Sequence, residues 1–302
     1  MQRNKQVFAH VAGILCGCIW GYTYVSLAIL FQDFTPVEVQ FFRFIVAALT
    51  LYLIYPKRMG KTTWRQELFF AAAGLTGVMM YFLLQGIAIL HTSAPNVAVI
   101  VAINPMFTAL LSWKLLGQAR PGKIFFLGAL LALCGIGIIS FAGAQLALNP
   151  IGDVIAVFTA LTWAFYCIFA KKVSEFGIRI ICTTRRIFLY GLLFLIPVMV
   201  VMDFQLDLER FANPSNVANI LYLGLAASAA AYILWNFAVE RLGPARTSVY
   251  IYLIPLVGVV GSILVLGETL TWLRFAGITL TLGGLVLSSW KPRQKASAVP
   301  TE

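Results

Sequence analysis

The sequence predicts an all-α membrane protein in which ten transmembrane helices form two inverted five-helix repeats around a central cavity. Three observations support this fold class. The 302 residues are 61% hydrophobic and 11% charged, with a mean hydropathy of +0.89, whereas soluble domains contain about 25% charged residues. The charges are clustered between long apolar runs. Finally, the order of several Trp, Arg, Pro and Gly residues recurs in the two halves of the chain.

Apolar runs long enough to cross a bilayer follow one another along nearly the whole chain. A transmembrane helix needs about 20 predominantly apolar residues. The first run follows the basic start MQRNKQ, but it is longer than the apolar part of a signal peptide and lacks a suitable cleavage site, so we interpret it as a retained span. The predicted spans are 10–31, 36–55, 68–90, 95–116, 124–143, 151–170, 180–202, 217–239, 247–266 and 272–290.

The basic residues predict which side of the membrane each loop faces, because Lys and Arg are retained in cytoplasmic loops. With the N-terminus inside, nearly all of the 22 basic residues lie in inner segments, and only Arg43, Arg210 and Arg274 fall toward the outside. Sequons for N-glycosylation and a transit peptide are absent, which favours a bacterial membrane. We therefore predict a multi-pass protein of the cell inner (plasma) membrane with both termini, including a polar tail at 291–302, in the cytoplasm.

Several other classes of protein are disfavoured. The net charge of +11 is spread over short loops rather than over one face, so nucleic-acid binding is not expected. The five cysteines form no CxxC pair and no cluster with histidine, so neither a disulfide framework nor a metal site is expected. A phosphate-binding Gly-rich loop, HExxH and GxSxG are absent, so we expect no enzyme and no cofactor.

The second half of the chain repeats the order of residues in the first half. At an offset of 143 residues, Trp20 matches Trp163 and Arg43 matches Arg186. At offsets of 150 and then 149, the matched pairs are Ala88 with Ala238, Pro105 with Pro255, Ser112 with Ser262, Gly117 with Gly267, Gly128 with Gly277, Gly135 with Gly284 and Ser140 with Ser289. The predicted repeats are 8–143 and 150–290. Because each has an odd number of spans, the second enters the membrane from the opposite side, as in many secondary transporters.

The same features resemble those of EamA-type members of the drug/metabolite transporter superfamily. They are the Trp-containing first span of each half, the Arg in FFRFIVAALTLYLIY, the segments NPMFTALLSWKLLG and IPLVGVVGSILVLGE, and the Gly-rich segments LGALLALCGIGIIS and FAGITLTLGGLVLSS. The resemblance implies ten helices around a cavity lined by both halves, and export or exchange of small organic solutes by alternating access. One departure is Gln118, which stands where the family often has an acidic residue such as Glu268.

Aromatic and amide residues within the spans are candidate substrate ligands, because polar groups in a membrane protein face its interior or a wet cavity. Trp20 and Trp163 lie in the middle of their spans, where a role as an interfacial anchor does not explain them; core packing is the alternative. The candidate substrate-binding residues are Trp20, Tyr81, Gln85, Asn96, Asn104, Trp163, Tyr166, Tyr232, Trp235, Asn236 and Tyr252.

Two arginines and two prolines are candidates for gating or structural roles. Arg43 lies about 10 Å along its helix from the outer end, where it either holds helices together or acts as a gate or a clamp for a substrate carboxylate. Arg186 lies near the inner end of its predicted span, where the retention of positive charge in the cytoplasm could explain it without a gating or structural role. Pro105 and Pro255 each remove one backbone hydrogen bond at matching depths, so they are either hinges or static kinks.

The sequence therefore predicts a secondary transporter that exports or exchanges small organic metabolites, with amino acids or similar partly apolar solutes as the leading substrates. The expected partners are this substrate and the lipid bilayer, and the expected state is a monomer. Glu38 and Asp153 are the candidate proton-coupling groups, both near the outer surface, so facilitated or exchange transport is favoured over proton antiport. A non-transporting binding, scaffold or lipid-handling protein with the same fold is the alternative.

The predicted topology is tested by mapping the two ends of the chain. Reporter domains that are active only in the cytoplasm, fused separately to the N- and C-terminus, should both be active, because an even number of spans returns the chain to its starting side. A fusion to the connection between the first two predicted spans serves as the inactive control. Activity at one end only would contradict the ten-span, inverted-repeat arrangement.

Overall fold

The computed structural model describes residues 2–92, 94–141, 149–202, 204–257 and 271–289, and these residues are helical apart from short connections. The α-helices are α1 (Gln2–Leu30), α2 (Pro36–Ile54), α3 (Trp64–His91), α4 (Ala94–Val101), α5 (Asn104–Leu116), α6 (Lys123–Phe141), α7 (Pro150–Ser174), α8 (Ile180–Val201), α9 (Pro214–Leu242), α10 (Pro244–Ser248) and α11 (Trp272–Ser289). Single 3₁₀ turns cover Glu209–Ala212 and Val249–Tyr252.

Seven helical stretches within the described ranges are long and apolar enough to cross a membrane, and α6 and α11 contain shorter apolar helices. Large apolar side chains are exposed along their outer faces, as at Leu53, Leu193 and Val200. A surface of this kind is stable against lipid and unstable against water. The chain is therefore a multi-pass membrane protein whose described residues are helical apart from short connections.

The predicted span 95–116 is not one continuous α-helix. Helix α4 ends at Val101 and α5 begins at Asn104, which places Pro105 in the first turn of α5. A proline is tolerated there because the amide hydrogen that it lacks has no acceptor within the helix. Its repeat mate Pro255 lies in the helical residues 253–257, directly after a 3₁₀ turn. The rest of that predicted span, with Gly267 and Glu268, lies outside the described residues, as does the tail.

Helices of the two halves of the chain pack extensively against each other. Helix α1 packs against α9, and α3 packs against α7 and α8. Helix α2 lies between α8 and α9, and α6 pairs along its length with α11. The main apolar core, which includes Phe44, Phe70, Phe188 and Trp235, lies between these helices. Helices α1, α2 and α3 of the first half therefore each contact the second half of the chain directly.

Helices α3 and α9 each contain a π-helical segment, Leu75–Met80 and Tyr222–Ala230. A π turn leaves carbonyl oxygens without their usual helical partners, and lipid cannot supply a replacement. Side chains of other helices do so here. The Gln40 amide donates to the carbonyl of Val78 at 2.6 Å, and the Trp20 indole donates to the carbonyl of Ala227 at 2.8 Å. Both segments thus face the protein interior.

Glycine allows α6 and α11 to approach each other backbone to backbone. A Cβ atom at Gly284 would lie 2.4 Å from the backbone nitrogen of Ala132, and one at Gly128 would lie 2.4 Å from that of Ser288. Neither backbone atom can move away without moving its helix. The small residues are therefore a requirement of this interface.

The variant Gly284→Ala should lower the free energy of unfolding by about 1–3 kcal/mol, the usual consequence of overpacking, because α6 and α11 would have to separate. The adjacent Gly283→Ala is the matched control, since a Cβ there meets nothing within 4 Å. The midpoint of thermal unfolding in detergent, measured for both variants, checks this expectation. Equal shifts in the two variants would contradict the proposed backbone contact.

Candidate functional site

A small aromatic cavity lies between α1, α3, α7 and residues 251–254. Its volume is about 30 Å³, and its walls are formed by Trp20, Thr23, Tyr24, Tyr81, Phe82, Gln85, Trp163, Ile251 and Ile254. This volume is enough for about one water molecule, whereas pockets for small organic ligands measure about 300–1,000 Å³. An organic solute would therefore fit only after the surrounding helices separate. We call this space the aromatic cavity.

The Trp163 side chain is at the centre of the aromatic cluster around this cavity. Its ring centroid lies 5.2 Å from that of Trp20, 4.6 Å from that of Tyr81 and 4.9 Å from that of Tyr166. Trp20 and Trp163 meet edge to face at 87°, which is a favourable geometry for two aromatic rings. The two residues matched at an offset of 143 are thus in direct contact, one from each half.

Four of the predicted substrate-binding residues, Trp20, Tyr81, Gln85 and Trp163, line the aromatic cavity. The Gln85 amide donates to the Tyr24 hydroxyl at 3.0 Å and is thereby oriented.

Other predicted residues form a layer that packs beside this cluster. The Tyr166 hydroxyl donates to the Asn236 side chain at 2.6 Å, and Asn236 donates to the Thr184 hydroxyl at 3.0 Å. Tyr232 and Trp235, both fully buried, pack their rings against Trp163. Because the polar groups of Tyr166 and Asn236 bond to protein, these residues support the walls of the cavity.

Three predicted residues lie away from the aromatic cavity. Asn96 donates to the carboxylate of Asp153, and Asn104 donates to the backbone carbonyl of Ala160 at 2.8 Å, which joins α5 to α7. Tyr252 packs in a separate apolar cluster with Ala129 of α6. Each of these contacts is made with a residue far away in the chain, so the local sequence pattern did not indicate it.

Sequence reasoning missed Tyr24 and Phe82 as cavity residues. Tyr24 lies four residues after Trp20, so a helical-face analysis would have placed the two on one side of α1. Phe82 gives no such signal, because it follows Tyr81 and adjacent residues of a regular helix point in different directions. Here the π-helical segment that ends at Met80 precedes both residues, and both reach the cavity.

Arg43 is buried beside the aromatic cavity, with 1% of its surface exposed. Its Nε donates to the Ser228 hydroxyl at 3.0 Å. The guanidinium carbon lies 4.2 Å from the centroid of the Phe82 ring and 5.2 Å from that of Phe44. Among the described residues, no carboxylate forms an ion pair with it, and its Nη2 has no hydrogen-bond partner. The charge is held by one hydroxyl and two rings.

A second, smaller void of about 10 Å³ adjoins Arg43, and Phe82 and Gln85 line both this void and the aromatic cavity. Two polar groups in the wall of the aromatic cavity, Trp163 Nε1 and Thr23 Oγ1, are also buried without a partner in the described part of the chain. Unpaired buried donors are unusual in proteins. Those of Trp163, Thr23 and Arg43 can bind the oxygen atoms of an acidic or polar solute.

An ion pair ties the two halves together at the end of the molecule where α2 begins. Glu38 in the first turn of α2 accepts from both terminal nitrogens of Arg210, at 2.9 and 3.2 Å, and from the backbone of Gln205 at 3.1 Å. Bidentate pairs of this kind are strong and directional. The hydrogen bonds to Glu38 also raise the pKa of the Arg210 guanidinium above its ordinary value. The pattern in the sequence that could have located Glu38 at the start of α2 is the capping box that it forms with Thr35.

A second ion pair joins the halves at the other end of α2, whose 19 residues span about 28 Å. Glu67 in the first turn of α3 accepts from Arg186 of α8 at 2.8 and 3.0 Å and from the Tyr190 hydroxyl at 2.6 Å. Arg186 therefore joins α8 to α3 through its ion pair with Glu67, in addition to any effect of its charge on how the chain is oriented in the membrane. The partner Glu67 was not predicted, because nothing in the local pattern relates it to a residue 119 positions away.

Comparison with known proteins gives matches over nearly the whole chain. A model of the EamA-like transporter family matches residues 7–141 and again residues 150–290. A solved crystal structure of a protein superposes with a TM-score of 0.75 and 15% sequence identity, covering 93% of this chain and 96% of that one. The fold is thus shared with a known structure, and the two family matches lie one in each half.

Curated relatives also carry transporter names. An uncharacterized transporter of Archaeoglobus fulgidus is 26% identical over 94% of this chain and 98% of its own. A protein of Streptantibioticus cattleyicolor named probable terminal-alkyne amino-acid exporter is 24% identical over 95% and 94%. The uncharacterized inner membrane transporter YedA of Escherichia coli is 26% identical over 88% of each chain. Since the two family matches together cover most of its residues, the chain belongs to the EamA-like transporter family.

Proposed function

We propose that this protein is a secondary transporter that exports or exchanges small metabolites carrying both a carboxylate and an apolar part, with amino acids as the leading class. The observation that carries the proposal is the buried Arg43 guanidinium, which has no carboxylate partner among the described residues and adjoins the aromatic cavity.

Electrostatics supports a carboxylate as the ligand of Arg43. A buried charge without a counter-charge costs several kcal/mol, and cation–π contacts such as that with Phe82 return about 2 kcal/mol when desolvated. An anion that enters the cavity would supply the missing counter-charge. The Phe82 ring lies between the guanidinium and the aromatic cavity, since it contacts the former and lines the latter. A rotation of this ring would join the two spaces.

The rest of the cavity wall suits an apolar group. Trp20, Tyr81 and Trp163 offer ring faces and edges, while the free indole N–H of Trp163 offers one donor. Such a combination of apolar wall and few polar groups is typical of sites for small organic ligands. The similarity to a relative named as an amino-acid exporter, over nearly the full length of both chains, supports the same substrate class.

We propose alternating access between two inverted five-helix repeats, ten helices in all, as the mechanism. Three features support it. In the predicted repeats, α1 corresponds to α7 and α3 corresponds to α9, so the contact of α1 with α9 is equivalent to the contact of α7 with α3. The π-helical Leu75–Met80 corresponds, at the offset of 150 residues, to part of Tyr222–Ala230. The aromatic cavity is too small for a metabolite, and an ion pair between the halves lies at each end of α2.

In this mechanism one ion pair breaks while the other persists. Separation of Glu38 from Arg210 would open the cavity toward one side, and separation of Glu67 from Arg186 would open it toward the other. We further propose that the chain lies in an inner (plasma) membrane with both termini cytoplasmic, so that the Glu38 end faces outward. Since the carboxylates of Glu38 and Glu67 are held by arginine and that of Asp153 accepts from Asn96, facilitated or exchange transport is favoured over proton antiport.

The substrate class is tested by counterflow in liposomes. Wild-type protein should give saturable counterflow with amino acids and none with the corresponding amino-acid amides, because the amides lack the carboxylate that Arg43 would bind. Arg43→Met should reduce counterflow at least tenfold without lowering the thermal unfolding midpoint, since it removes an uncompensated buried charge. The exposed Arg65→Met is the control and should behave like the wild type.

Fluorescence provides a second readout of the same proposal. Substrate should change the tryptophan emission of the wild type and of Trp64→Phe, whose ring is 73% exposed, but not that of Trp163→Phe. Normal turnover in Arg43→Met, with only a lower yield of folded protein, would leave Arg43 a structural role alone. Absence of counterflow with any small solute would favour a binding or scaffold function.

The ion pair at the start of α2 is tested through stability. Glu38→Gln should lower the free energy of unfolding by about 3 kcal/mol, because it removes the buried, bidentate partner of Arg210 and leaves that arginine only the exposed Asp207 as a counter-charge. Glu175→Gln is the control: its pair with Lys172 is exposed, and exposed pairs contribute about 0–1 kcal/mol. Thermal unfolding of both variants measures the difference. Equal, small shifts would show that the Glu38 pair does not hold the two halves together.

A further inference from the structure

A separate cavity, larger than the aromatic cavity and the void beside Arg43, lies on the lateral face of the protein between α2, α8 and the connection that follows α2. Its volume is about 550 Å³. The α2 and α8 walls include Ile45, Leu49 and Leu189, and the rim includes Arg58 and Arg185. Leu49 is 57% exposed and Leu189 is 54% exposed. Because both belong to membrane-spanning helices, this cavity opens toward the lipid rather than toward the protein interior.

The rim of this lateral cavity carries two positive charges that no carboxylate of the described residues neutralises. Arg185 donates to the backbone carbonyls of Tyr55 and Lys57, both at 2.8 Å, and these bonds hold its guanidinium at the rim. Neither Arg58 nor Arg185 forms an ion pair in the described ranges. Only the third arginine of the rim, Arg186, has a carboxylate partner, Glu67.

Both arginines lie near the ends of membrane-spanning helices. Arg58 is four residues beyond the end of α2 at Ile54, and Arg185 is in the second turn of α8, which begins at Ile180. Basic pockets between transmembrane helices at such positions bind anionic headgroups, with about 1 kcal/mol for each basic group near the surface. The apolar wall below them suits an acyl chain, which a soluble anion does not have.

We propose that the lateral cavity binds one anionic phospholipid, with its phosphate on Arg58 and Arg185 and an acyl chain along Ile45, Leu49 and Leu189. The arrangement distinguishes lipids by charge, since a zwitterionic lipid offers the arginines a phosphate whose charge its own ammonium group neutralises. The proposal depends on the chain spanning a membrane and is independent of the solute that it transports.

Native mass spectrometry of the full-length protein in detergent, titrated with phosphatidylglycerol, tests the site. We expect one tightly bound phosphatidylglycerol and weaker binding of phosphatidylcholine with the same acyl chains. Arg58→Gln should raise the dissociation constant for phosphatidylglycerol about fivefold, which corresponds to about 1 kcal/mol. Within the described residues Arg58 forms no hydrogen bond or ion pair, so its loss should leave folding intact. Adding Arg185→Gln should raise the constant further.

The matched control removes two exposed charges elsewhere, Lys114→Gln with Arg120→Gln, and should leave the constant unchanged. An equal loss of affinity in this control, or equal binding of phosphatidylcholine, would overturn the proposal in favour of unspecific attraction to the basic surface. We expect that added inorganic phosphate displaces no bound lipid. Binding of inorganic phosphate that Arg58→Gln abolishes, together with unchanged lipid binding, would assign the arginines to a soluble anion and overturn the lipid assignment.

Discussion

The constraint on which the structure depends is that lipid offers no hydrogen bonds, so every polar group at membrane depth needs a partner within the protein. The two π-helical segments show the consequence. Their carbonyl oxygens accept from Gln40, Trp20 and the Tyr232 hydroxyl, which reaches the carbonyl of Gly77. Each bond joins a different pair of helices. The same bonds that satisfy the backbone therefore also position the aromatic rings around the cavity.

Three arginines show how differently this constraint is met. Arg210 and Arg186 each have a carboxylate from the other half of the chain, Glu38 and Glu67. Arg43 is the most deeply buried of the three and has a hydroxyl and two rings instead. Satisfied charges fix the ends of the molecule, whereas the unsatisfied charge lies beside the cavity. This contrast is the physical reason for the proposal that Arg43 binds the substrate while the other two arginines hold the halves of the chain together.

The packing also determines how the protein can move. Close backbone contact between α6 and α11 requires glycine at Gly128 and Gly284, so this pair is suited to move as one unit. At Gly77 of α3, by contrast, the neighbouring atoms of α7 belong to the Tyr166 side chain, and a side chain can rotate more readily than backbone atoms in contact can separate. Motion that enlarges the cavity is therefore expected between α3 and α7 rather than between α6 and α11.

Composition and periodicity were enough to predict the membrane class and most helices, because these depend on local hydropathy, and they placed Trp20 and Trp163 among the candidate cavity residues without predicting that the two rings touch. They could not predict that α4 and α5 are separate or that Asn104 bonds to Ala160 instead of lining the cavity. They also missed Glu67 and Phe82. Contacts between residues far apart in the chain arise from how helices pack, and neither hydropathy nor helical period records which faces meet. The partners of each buried charge were accordingly visible only in three dimensions.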